Sequence, residues 1–125
     1  MPADKDGAKD TILVIDDEPL IRTALAETLR RAGFSVVELS EAKEALGHLS
    51  EGGAADLVIT DLKMPGAIDG LDLVEWLKSA LPAMPVIVTT GYHALRSQVN
   101  GAPVFEKPYR FERLLERVCE MLDAP

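Results

Sequence analysis

Five polar residues stand where short apolar runs of this chain give out: Asp16 and Asp17 after TILVI, Asp61 after LVIT, Thr90 closing VIVTT, and Lys107 after VFE. Together they offer three carboxylates, a hydroxyl and an amine. Carboxylates brought together repel and raise at least one pKa unless a cation neutralises them. A hydroxyl and an amine beside such a centre can hold phosphate oxygens. The set suits phosphate chemistry around a hard divalent cation, provided that the fold brings the five together.

The elements around them are arranged to do so. Runs rich in Val, Ile and Leu alternate with amphipathic stretches, in a βα pattern repeated five times with no internal linker or repeat. Strands are expected at Thr11–Asp16, Phe34–Leu39, Leu57–Thr60, Pro85–Thr90 and Ala102–Glu106. Pro19 opens a first helix that ends at Gly33. Ser40 is the expected N-cap of a second helix, which ends at Gly52-Gly53. Asp69 or Gly70 starts a third, stopped by Pro82 and Pro85, and Phe111 to Leu122 carry the inner stripe of the last. Alternating strands and helices make a parallel sheet covered on both faces, whose ligands bind beyond the carboxyl ends of the strands. All five residues fall at such ends.

The bulk properties narrow the class. At 125 residues the chain fits a single domain, expected over 11–123 behind a flexible segment 1–10. No apolar run approaches a membrane span, and the polar opening lacks a secretory core, so a cytoplasmic location with no membrane is expected. A formal net charge of −8 argues against direct nucleic-acid binding. Arg30, Arg31, Arg110, Arg113 and Arg117 are read as solvated helix faces, and Cys119, His48 and His93 as packing or surface residues.

The segments ILVIDDEP, DLVITDLKMPG followed by DGLDL, PVIVTTG and FEKPY resemble, in this order and spacing, a response-regulator receiver domain of bacterial two-component signalling. The likeness covers nearly the whole chain. It implies a flavodoxin-like, doubly wound five-stranded parallel sheet of order 2-1-3-4-5 with about five helices. It implies Asp61 as the phosphoacceptor, a nucleophile forming an acyl phosphate. Mg2+ is the implied cofactor, with Asp17 and Asp61 as direct ligands, Asp16 acting through water, the Lys63 carbonyl completing the set and Glu18 as an outer acid. Thr90 and Lys107 would hold the phosphoryl oxygens, and the family usually keeps the Lys-Pro bond cis. The implied partners are a sensor histidine kinase or a histidine phosphotransfer protein, and a downstream protein target. In that reading the domain catalyses its own phosphorylation and dephosphorylation and is not an enzyme in the usual sense.

The chain also departs from the pattern. Only fifteen residues separate Gly91 from Lys107, so a fourth helix must be short or irregular. Val104 stands three before the lysine, where many receivers carry a switching aromatic; Phe105 follows and is expected to face the other way. Tyr92 is the expected substitute switch, reordering with His93–Pro103 on phosphorylation. Two other readings share part of the set: a degenerate receiver serving only as a binding module, and an aspartyl-phosphate enzyme of the haloacid-dehalogenase type. The latter expects a second acid two residues after its nucleophile, where this chain has Lys63.

Overall fold

The computed structural model describes residues 9–91, 99 and 101–123. Five parallel strands form one sheet in the order β2-β1-β3-β4-β5: β1 Thr11–Ile15, β2 Ser35–Leu39, β3 Leu57–Asp61, β4 Val86–Thr90 and β5 Val104–Glu106. Four helices are present among the described residues: α1 Pro19–Arg31, α2 Ala42–Ser50, α3 Gly70–Ala80 and α4 Phe111–Asp123. The sheet order is the expected one. The expected short helix after Gly91, with Tyr92 and His93, lies mostly outside the described residues, as does most of the segment 1–10. No helix among the described residues is long and apolar enough to cross a membrane.

Alternation of side chains sorts each central strand between two cores. Ile12, Val14, Ile59 and Ile87 pack under Leu25 and Leu29 of α1 and Leu114 and Val118 of α4. Leu13, Ile15 and Val58 point the other way, against Ala42, Ala45 and Leu49 of α2 and Leu73 and Leu77 of α3. Val88 joins Leu62, Val74 and Val99 in a smaller cluster on the α3 side, towards β5. The sheet is thereby held from both faces, and its carboxyl edge is where chains leave it.

Two helix starts govern that edge. Pro19 is at the beginning of α1, where its missing N–H breaks no bond. At α3, Asp69 and Asp72 cap reciprocally: the Asp72 N–H donates to Asp69 Oδ1 at 3.1 Å and the Asp69 N–H to Asp72 Oδ2 at 3.0 Å. The N-cap of α2 is Glu41 rather than Ser40. A box closes between Glu41 and Glu44, and the Ser40 N–H and hydroxyl both donate to the Glu44 carboxylate. Two adjacent residues could fill the cap, and only the one with a longer side chain completes the reciprocal pair.

Gly70 brings α3 hard against the end of β3. A Cβ there would overlap the Asp61 carbonyl group and crowd Leu62 Cα. Both obstacles are backbone and cannot swing aside. Gly47, within α2, faces open space. Gly70→Ala is therefore expected to destabilise the domain by about 2–3 kcal/mol, and Gly47→Ala to stabilise it by about 0.5–1 kcal/mol. Urea unfolding of both variants checks the pair, and equal effects would contradict the close approach at Gly70.

Candidate functional site

Each site residue is set in place by the strand that ends on it. Past β1, the Asp16 N–H donates to the Leu39 carbonyl at 3.1 Å, and its Oδ1 accepts the Glu18 N–H at 2.8 Å. Asp61 is the last residue of β3, and its carboxylate accepts a hydrogen bond from the Lys63 backbone N–H. Lys107 follows β5; its N–H donates to the Thr90 carbonyl at 2.8 Å, and the Lys107–Pro108 peptide bond is cis.

These elements converge on the Lys107 ammonium. Nζ lies 2.7 Å from Glu18 Oε1, 2.8 Å from Asp61 Oδ2 and 3.1 Å from Asp16 Oδ2. The Asp16 and Asp61 side chains are 5% and 7% exposed, that of Glu18 54%. Burial pushes the Asp61 carboxyl above its usual range, and the attraction of Lys107 does not fully offset this; Asp16 adds repulsion in the same direction. Burial opposes the charge of Lys107, yet its hydrogen bonds to Asp61 and Glu18 prevail and hold its pKa above the usual lysine value. Among the described residues three carboxylates share the Lys107 ammonium, which leaves an excess of negative charge there.

A cleft of about 540 Å3 opens over this cluster, lined by Asp17, Glu18, Asp61, Lys63, Gly91 and Lys107. Carboxylate oxygens of Asp16, Glu18 and Asp61 all lie within 4.8 Å of one another. These are hard oxygen donors on one side of an open cleft, a set that fits Mg2+, which keeps waters and bridges to phosphate. Asp17 sits on the cleft wall and outside this group of three; Glu18, expected as an outer acid, is within it. Lys63 contributes backbone, while its exposed ammonium lies 3.9 Å from Asp69. Thr90 is fully buried at the end of β4 and is not among the residues that line the cleft, whereas its neighbour Gly91 is.

The remaining expectations divide. Val104 packs on the α3 side with Val88 and Val99, and Phe105 on the α1 and α4 side, so the two face opposite ways as expected. Tyr92 lies outside the described residues. His48 bonds through Nε2 to the Ala54 carbonyl at 2.8 Å, and burial raises the Cys119 thiol, with Asp123 adding to it. The direct bond that the Lys107 ammonium donates to Glu18 has one signal in the sequence, an acid next to the Asp16-Asp17 pair. Tyr109 was not singled out either. Its ring stands edge-on to Phe105 and Phe111 at 6.2 and 5.6 Å, and its buried hydroxyl has no hydrogen-bond partner among the described residues.

Residues 12–119 match the model of the response regulator receiver domain family. The C4-dicarboxylate transport transcriptional regulatory protein DctD of Rhizobium meliloti is 37% identical over 115 residues, covering 88% of this chain and 25% of its own length. The chain thus spans about a quarter of that curated relative. A response regulator receiver protein from Sinorhizobium medicae superposes with a TM-score of 0.85 at 31% identity, covering 93% of this chain and 96% of that one. The response regulator TrrA of Thermotoga maritima, solved in complex with Mg2+ and BeF, gives 0.81 at 34% identity, covering 90% and 98%.

Ionising Asp61 is harder in the folded chain than in the unfolded one. A raised carboxyl pKa means a stability cost present at neutral pH and relieved as pH falls through the folded pKa. Asp61→Asn is expected to raise the thermal midpoint at pH 7, without divalent cations, by about 4 °C, with the gap closing towards pH 4. Calorimetry across that pH range checks it; a lower midpoint for the variant at pH 7 would show that the bond to Lys107 outweighs burial.

Proposed function

Because the chain belongs to the family of response regulator receiver domains, we propose that it takes a phosphoryl group onto Asp61 from a phosphohistidine and thereby signals to a protein partner. The donor is a sensor histidine kinase or a histidine phosphotransfer protein, the cofactor is Mg2+, and the place of action is the cytoplasm. The observation that carries this reading is the Lys107 ammonium, held 2.8 Å from Asp61 Oδ2 at the floor of an open acidic cleft.

Asp61 is placed to act as a nucleophile: one carboxylate oxygen is pinned by Lys107, while the group as a whole borders the cleft. In-line attack forms a bond from a carboxylate oxygen to phosphorus and breaks the bond from phosphorus to the donor nitrogen. The electron pair of that broken bond returns to the imidazole ring. Lys107 then has phosphoryl oxygens within reach in place of a bare carboxylate. Thr90 sits at the end of β4 for a hydroxyl contact, a role that comes from the family resemblance. Asp16, Glu18 and Asp61 would hold Mg2+, with Asp17 on the cleft wall beside them. When bound, the ion neutralises charge on the carboxylates and on the transferred group. Glu18, the most exposed of Lys107's three partners, is the one best placed to release it. The added charge of about −1.5 to −2 then draws Thr90 and Lys107 inward and biases a two-state equilibrium.

Incubation with Mg2+ and acetyl phosphate is expected to add the mass of one phosphoryl group to the protein and none to Asp61→Asn. Lys107→Ala should load about 100-fold more slowly. Intact-mass spectrometry over time reads all three. An adduct of equal yield in Asp61→Asn would remove Asp61 from its role, and no adduct in any of them would leave the chain as a binding module.

A further inference from the structure

Arg22 lies outside the cleft, yet its side chain reaches back to the loop that feeds it. Its Nη1 donates to the Asp16 carbonyl at 2.9 Å and its Nε to Glu38 Oε1 at 3.4 Å. Glu38 is itself held: the Thr23 hydroxyl donates to the same oxygen at 3.2 Å, and Arg30 Nη1 to the other at 3.1 Å. Glu38 stands opposite Val14 in the register between β1 and β2, two residues before Asp16. The Arg22 and Glu38 side chains are 19% and 23% exposed. A chain of polar contacts therefore runs from the edge strand β2 to the peptide unit that carries Asp16.

That peptide unit has a particular need. Asp16 comes directly after β1 ends and is buried at 4% exposure. A carbonyl leaving the ladder in such a place requires a new donor. Arg22 supplies it from α1, whose backbone N–H at the same residue bonds to the Glu18 carbonyl at 2.9 Å. Arg22 thus grips the loop at both ends, at Asp16 by its guanidinium and at Glu18 by its backbone. Between the two grips, Asp16 Oδ1 accepts the Glu18 N–H.

We infer that Arg22 is a positioning residue of the acidic loop: its guanidinium fixes the Asp16 carbonyl, and with it the direction in which Asp16 and Glu18 present their carboxylates, while Glu38 fixes the guanidinium. The inference rests on the proposed reading of the cleft as a Mg2+ and phosphoryl site. A planar fork can donate from Nε and Nη in two directions at once, whereas a lysine ammonium is a single point. Partners that orient ligands without touching the metal commonly matter for affinity.

Three variants test it: Arg22→Ala, Arg22→Lys and Glu38→Gln. Mg2+ affinity by titration calorimetry is expected to fall about tenfold in Arg22→Ala, less in Arg22→Lys, and least in Glu38→Gln. Loading from acetyl phosphate should slow in the same order. In metal-free protein the Glu18 amide should lose hydrogen-exchange protection and shift in its NMR resonance, again in that order. A lowered thermal midpoint with unchanged Mg2+ affinity and an unchanged Glu18 amide would make Arg22 a merely structural residue and overturn the inference. Should Arg22→Ala not fold, the same two unchanged readouts in Arg22→Lys and Glu38→Gln would overturn it. If the native protein binds no Mg2+, the proposed function fails, and the Glu18 amide still decides the role of Arg22.

Discussion

Three carboxylates gathered on one ammonium is the constraint around which this molecule is built. Asp16, Glu18 and Asp61 lie close enough to repel strongly, and Lys107 is the positive charge that the chain itself places among them. A buried ammonium without its carboxylates would be costly, as would the carboxylates without it. The arrangement is satisfied while leaving a deficit of positive charge, which is the condition for a second cation to bind. A cation held there would couple binding and folding through one set of oxygens.

The sheet supplies the geometry that this charge cluster requires. Parallel strands with right-handed crossovers deliver every strand end to the same edge, so residues at positions 16, 61 and 107 meet without any local sequence relation. The apolar alternation that fills two cores anchors those strands, with Ile12 and Val14 on one side and Leu13 and Ile15 on the other. Gly70 lets α3 touch the end of β3, and Arg22 ties the start of α1 to the end of β1. Neither residue lines the cleft, yet each packs or bonds against the backbone of a residue that carries one of its carboxylates.

Much of this could be read from residue order, for physical reasons. A run such as TILVI, apolar on both faces, belongs inside a sheet, and a charged residue after it marks where the strand emerges. Asp16, Asp61 and Lys107 are legible on those grounds, and side-chain alternation gives the opposite facings of Val104 and Phe105, whereas the strand order comes from the family resemblance. Contacts set by side-chain reach were not. Glu18 could have pointed to solvent, and only the tertiary position of Lys107 gives it a partner 89 residues away. Glu41 displaced Ser40 as the cap of α2 through a reciprocal pair with Glu44 that residue preferences at single positions do not encode. Tyr109 escaped notice because aromatic residues near a helix start usually signal packing alone.

The two sides of the cleft differ in how they are braced. Asp61 closes β3, a strand bonded on both edges and braced by α3 through Gly70. Lys107 follows β5, an edge strand three residues long and, among the described residues, bonded only to β4. Val104 and Phe105 lie on that strand and face opposite cores, so a tilt of β5 would bear on both faces of the molecule at once. The cleft therefore joins one strand held on both edges to one held on a single edge.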